Sequence, residues 1–118
     1  MTQLFVSSLT RRAYLQGQPN NASDSLARER LLLKWAAQKT SSIFVDLNRN
    51  SLDYVNQIGQ TEAWKFNLED TTHLGTWGEV VFGRMIADLI QTAVPQLDHW
   101  INENKTLSTN LWLGLPPS

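Results

Sequence analysis

The chain has 118 residues, room for one small domain, and its 42% hydrophobic and 18% charged residues describe a globular rather than a disordered protein. Ten basic and eleven acidic residues leave a formal charge of -1, with Arg11-Arg12 the only adjacent basic pair, so neither nucleic acid nor an anionic membrane is expected as a partner. The absence of cysteine excludes disulfides, thiolate chemistry and Cys-ligated zinc.

Gln3 to Leu9 reads as a buried strand: Leu4, Phe5 and Val6 follow one another without alternation, and Ser7-Ser8 close the run. The stretch is too brief for a signal peptide, and Arg11-Arg12 follow it instead of preceding it. Were the protein exported, its signal would lie upstream. Arg11 to Ser23 holds Gly17, Pro19 and Asn20-Asn21 and reads as a loop, with Arg11-Arg12 a solvated turn. Ser23 or Asp24 caps the helix that follows, where Ala27, Leu31, Leu32, Trp35 and Ala36 form one apolar stripe to about Lys39.

Ile43 to Leu47 is β-branched and aromatic and reads as the second strand, with Asp46 near its end either capping the next turn or orienting a loop. Asn50 or Ser51 then caps a short helix carrying Leu52, Val55 and Ile58, which Gly59 ends. Thr61 to Thr76 reads as mixed loop. Thr76 caps a third helix, with Glu79 completing a capping box, and Val81, Phe82, Met85, Ile86, Leu89 and Ile90 give it one broad buried face up to Pro95. Residues 96–118 form a tail that either packs on the domain or trails from it. No apolar run approaches the roughly 18 residues of a membrane span.

The order strand, helix, strand, helix, loop, helix implies right-handed crossovers and a parallel sheet. Two strands do not complete such a sheet, so the chain reads as a single partial domain over 1–118, with an exposed sheet edge that a partner chain would cover. Five tryptophans in so short a chain each call for a packing partner, and Trp35, Trp77 and Trp100 are expected to find one in the core.

The chemical signal is Asp70-Thr71-Thr72-His73. A histidine that deprotonates a hydroxyl must hold its own proton on the far ring nitrogen and stabilise the charge it gains, and a carboxylate does both. Three residues apart in a loop before a helix, the two side chains can turn toward one another. The plainer alternative is that Asp70 closes a turn and His73 bonds to nearby backbone. Trp64 and Phe66 flank the motif, either as sugar-stacking aromatics or as core closing over the sheet edge. The other histidine, His99, is remote in sequence, so no metal site is expected.

Asp70-Thr71-Thr72-His73, followed by Gly78 and Gly83-Arg84-Met85, resembles the last motif block of the SGNH, or GDSL-type, hydrolase family. Leu4 to Arg12, Val45-Asp46-Leu47 with Ser51, Tyr54, Ile58 and Gly59, and the ending Trp112 to Pro116 are similar to its rhamnogalacturonan acetylesterase branch. The resemblance implies an α/β chain: the C-terminal part of a three-layer α/β/α, flavodoxin-like domain with a parallel sheet whose N-terminal strands are missing. It implies hydrolysis of acetyl esters on pectic polysaccharide by a secreted carbohydrate esterase, with His73 and Asp70 as the base and its orienting acid and with no cofactor. An acetylated polysaccharide or small ester would be the substrate. The family's Gly-Asp-Ser nucleophile and its oxyanion residues have no counterpart here, so the chain alone is expected to be inactive. The competing expectations are a non-catalytic, carbohydrate-binding or partner-dependent relative, or a fragment without a role of its own.

Overall fold

The structure, a computed structural model, describes residues 3–117. Strand β1 (Leu4–Val6) and strand β2 (Ile43–Val45) pair in parallel, with Leu4 opposite Ile43, Phe5 opposite Phe44 and Val6 opposite Val45. Helix α1 (Ala27–Lys39) lies between them in sequence and packs on both. Each strand is three residues long, shorter than the expected Gln3–Leu9 and Ile43–Leu47, because the polar residues that follow each apolar run redirect the chain. Ser7 makes the last ladder bond, donating its N–H to Val45 O at 3.0 Å. Its hydroxyl then donates to Asp46 Oδ1 and accepts from the Asn48 amide, both at 2.8 Å. Asp46 itself caps helix α2 (Leu47–Ile58), accepting from the Arg49 amide at 3.0 Å, so the expected cap at Asn50 or Ser51 moves to the residue that leaves the sheet.

Beyond α2 come the single turn α3 (Gln60–Ala63), a 3-10 turn over Trp64–Phe66, the long helix α4 (Thr76–Ala93), a second 3-10 segment at Pro95–Trp100 and helix α5 (Lys105–Leu113). The hydrophobic centre is helix against helix: Leu52, Tyr54 and Val55 of α2, Val81, Phe82 and Met85 of α4, Leu107 and Leu111 of α5, with Ala63 and Phe66 closing one end. Phe82 anchors it, edge-on to Phe66 at 5.3 Å and to Tyr54 at 6.4 Å between ring centroids, the geometry that aromatic quadrupoles prefer.

This corrects the expected fold class. A three-layer α/β/α flavodoxin-like domain is organised by an extended parallel sheet with helices on both faces. Here, among the described residues, the sheet is one open pair of short strands, and the chain is a helix-dominated bundle around the α2–α4–α5 core.

Helix ends show why several local expectations shift. Ser23 and Asp24 do not cap α1; Leu26 occupies that position without a side-chain bond, and Asp24 instead forms an ion pair with Arg30 at 2.8 Å. Thr76 is already the first helical residue of α4, behind an extended Gly75, so the Thr76–Glu79 capping box does not form. Gly59 ends α2 at φ 86° and Gly114 ends α5 at φ 71°, backbone conformations that side chains resist. Asn104 caps α5 through the Leu107 amide at 3.2 Å, a signal the sequence reading passed over. The Tyr54 hydroxyl donates to Leu115 O at 2.9 Å and the Trp112 indole to Asp88 at 2.9 Å, which seats the last helix and its exit.

The apolar stripe of α1 is the largest reversal. Leu31, Leu32 and Trp35 are 62%, 55% and 59% exposed, and with Arg28 they line an open apolar groove; Ala37 is the buried residue of this helix. Trp77 and Trp100 also lie at the surface, so neither supplies the expected core packing. No helix of the described residues is long and apolar enough to cross a membrane.

Candidate functional site

Between the 3-10 turn and α4 the chain folds back on itself. The Leu68 amide donates to His73 O at 3.1 Å, Asn67 and Leu74 form a single antiparallel bridge, and the Gly75 amide donates to Phe66 O at 2.9 Å. Asp70 sits at the tip and closes it. Its Oδ1 accepts from the backbone amides of Thr72 at 2.8 Å and His73 at 2.7 Å, the local bonding for which a short carboxylate side chain is suited. Its Oδ2 lies 2.8 Å from His73 Nδ1. One oxygen makes the turn of the plainer alternative and the other meets the ring, which bonds to no backbone group among the described residues.

The protonation state follows from the donors. Three hydrogen bonds, the His73 amide first, then its ring and the Thr72 amide, hold the Asp70 carboxyl far below the ordinary carboxylate range, at about 2. An ionised carboxylate only accepts, so Nδ1 must carry the hydrogen, and in the neutral ring the Nε2 lone pair then faces away from Asp70. The His73 side chain is 74% exposed and that of Asp70 54%, and among the described residues the ring has no hydrogen-bond partner besides Asp70. What the arrangement can do is accept a proton at Nε2 from a group that arrives from outside.

Arg12 holds the loop from beneath. It is fully buried, not the solvated turn its sequence suggests. Its Nε donates to Asn67 Oδ1 at 2.5 Å, one terminal nitrogen to Thr10 O at 2.9 Å and the other to His73 O at 3.2 Å, while its backbone amide donates to Thr71 O at 2.7 Å. Burial pushes the guanidinium below its ordinary value, opposed by the nearby charge of Asp70. No local pattern marks this residue: its acceptors lie 55 and 61 positions away, as well as at Thr10. Arg11, its neighbour, stays at the surface and reaches Ser25.

The flanking aromatics divide. Phe66 is 1% exposed and packed against Phe82, so its faces are given over to the core. Trp64 is 46% exposed and donates its indole N–H to Arg12 O at 2.8 Å, tied to the same residue that braces His73. Among the described residues, no group of three or more His, Asp and Glu side chains could hold a metal ion. The buried serine hydroxyls are occupied elsewhere, Ser7 with Asp46 and Asn48, Ser51 with Thr10 and Asn48.

Fold and site together define a small helix-rich domain that carries an outward-facing carboxylate–imidazole pair on a loop between its core helices. No family model, curated protein or solved structure matches the chain. The resemblance to SGNH, or GDSL-type, hydrolases is corrected on the same grounds as the fold. The sheet that aligns nucleophile, oxyanion donors and histidine in such enzymes is not present among the described residues, and the assignments of esterase and rhamnogalacturonan acetylesterase fall with it.

Proposed function

We propose that Asp70 and His73 form a surface proton-transfer centre, in which His73 Nε2 takes a proton from a hydroxyl or water carried by an incoming molecule. The observation that supports this is the 2.8 Å contact between Oδ2 and Nδ1, made by a carboxylate whose other oxygen is already fixed by two amides. The carboxylate sets the tautomer and stabilises the imidazolium without itself becoming protonated. Positioned acid–base groups of this kind contribute roughly 100- to 10,000-fold to a proton-transfer step when water is excluded around them. An open surface lacks that exclusion, so the incoming molecule has to supply it. The half-exposed face of Trp64 is a platform on which a flat or ring-shaped substrate can rest.

His99 serves as an internal control, since its ring is also exposed and lies against Trp100 rather than a carboxylate. Ring nitrogen-15 shifts should show His73 in the Nδ1–H tautomer. Acylation by diethyl pyrocarbonate, which needs the neutral ring, read by peptide mass spectrometry at about pH 8.5 so that the imidazolium favoured by a carboxylate does not mask it, should run roughly tenfold faster at His73 than at His99. In Asp70→Asn that excess should vanish, because the amide can present its NH2 to Nδ1 and reverse the tautomer. A predominant Nε2–H tautomer in the unaltered protein, or equal acylation of the two rings, would refute the proposal.

A further inference from the structure

A buried guanidinium needs a reason to be there. Long cationic side chains are almost never fully buried unless they are paired, and a buried charge stays only where its hydrogen bonds are satisfied. Among the described residues Arg12 is not paired with a carboxylate within hydrogen-bonding distance; its three side-chain bonds go to neutral oxygens, of Asn67, Thr10 and His73. Two of these acceptors bracket the Asp70–His73 loop, Asn67 at its entry and His73 at its exit. The Arg12 backbone amide holds a third point inside it, Thr71 O, at 2.7 Å. The planar fork reaches these oxygens at fixed mutual angles, which a flexible ammonium does not reproduce. Around the same residue, Trp64 closes the outer side by donating to Arg12 O.

We propose that Arg12 is the positioning residue of the Asp70–His73 pair: it fixes the His73 carbonyl and the loop entry at Asn67, so that the imidazole meets Asp70 Oδ2 on an otherwise exposed loop. This rests on the reading of the pair as a proton-transfer centre, and deepens it. The ring itself receives nothing from Arg12. The effect runs through the backbone of His73, which the guanidinium and the Leu68 amide hold from two directions at 3.2 and 3.1 Å. Remove the guanidinium fork and Asp70 can still close its turn through the Thr72 and His73 amides. The ring is then free to rotate away from Oδ2, and its tautomer relaxes.

The test compares the unaltered protein with Arg12→Lys and Asn67→Ala, reading circular dichroism for the fold and, for the site, ring nitrogen-15 tautomer and the His73-to-His99 acylation ratio. Arg12→Lys keeps the charge but not the fork; Asn67→Ala removes one acceptor at a partly exposed position and leaves the core intact. Both should melt cooperatively, and both should lose most of a roughly tenfold acylation excess while the Nε2–H tautomer gains population. If Arg12→Lys does not fold, Asn67→Ala decides alone. A folded variant of either kind with the full excess and an unchanged tautomer overturns the positioning role. Absence of any excess in the unaltered protein instead overturns the reading of the pair, which keeps the two failures apart.

Discussion

Gly78 is the point where α4 passes over the 3-10 turn, and substituting it should show how tightly the core and the site loop are joined. A Cβ at this position would lie 2.5 Å from Phe66 O, 2.8 Å from Leu74 Cδ2 and 3.0 Å from Phe66 Cβ, where carbon contacts are ordinarily about 3.5–4.0 Å. The leucine tip can swing aside; the carbonyl cannot, because it already accepts from the Gly75 amide that precedes the helix. The helix must therefore shift by about 1 Å, against a Phe82 ring seated edge-on to Phe66. Overpacking of this kind costs about 1–3 kcal/mol, and a collision with backbone belongs at the upper end; the better helix propensity of alanine returns about 1 kcal/mol, for a net loss of about 2 kcal/mol. Gly83 in the same helix is the control, since a Cβ there meets nothing within 4 Å and Gly83→Ala should gain up to about 1 kcal/mol. For a chain of this length those changes correspond to roughly 8 °C down and up to about 4 °C up in Tm. Far-UV circular dichroism is the appropriate probe, since it follows the helices directly, whereas the five tryptophans are between 40% and 76% exposed and none is a core residue. Gly78→Ala as stable as Gly83→Ala would refute the packing described for α4.

Acid should open the site loop before it unfolds the core. The folded Asp70 carboxyl sits at about 2, below its unfolded value near 4, so its contribution is fully present above pH 4 and is lost as the pH falls toward 2; the amide shifts of Thr72 and His73 should move together over that window. Truncation should also separate the two kinds of leucine. Leu52→Ala should cost about 2–5 kcal/mol by leaving a cavity, whereas Leu31→Ala on the outward face of α1 should stay within about 0.5 kcal/mol, both by urea denaturation; a comparable loss at Leu31 would mean that α1 is packed on that side.

The Asp70–His73 contact is more legible in the sequence than the fold is, for a physical reason. Asp70 and His73 meet through a local turn, three residues long, whose bonds need no distant partner. The stops at Gly59 and before Pro95 are equally local, one from a positive φ and the other from the restriction proline places on the residue before it. Periodicity also picked out Val81, Phe82 and Met85 of α4, which are buried. The same rule failed for α1, because an apolar stripe specifies a face without specifying anything for it to face. A parallel order of strands likewise suggests an extended sheet, although a hydroxyl and a carboxylate at Ser7 and Asp46 end the pairing after three residues. Arg12 reads as a solvated turn and is buried instead, because its burial is decided by oxygens that only the folded chain brings together.

The outward turn of Leu31, Leu32 and Trp35 has a consequence for how the protein behaves at high concentration. Molecules that carry almost no net charge, -1 here at neutral pH, repel one another weakly, so nothing at long range opposes short-range adhesion between such greasy faces. Colloidal stability then depends on the few cations that border the groove, Arg28 beside it and Lys39, whose ammonium stands 5.8 Å above the Trp35 ring. Mild alkalinity, by adding negative charge to the whole molecule, should keep it dispersed better than added salt, which weakens the little repulsion there is.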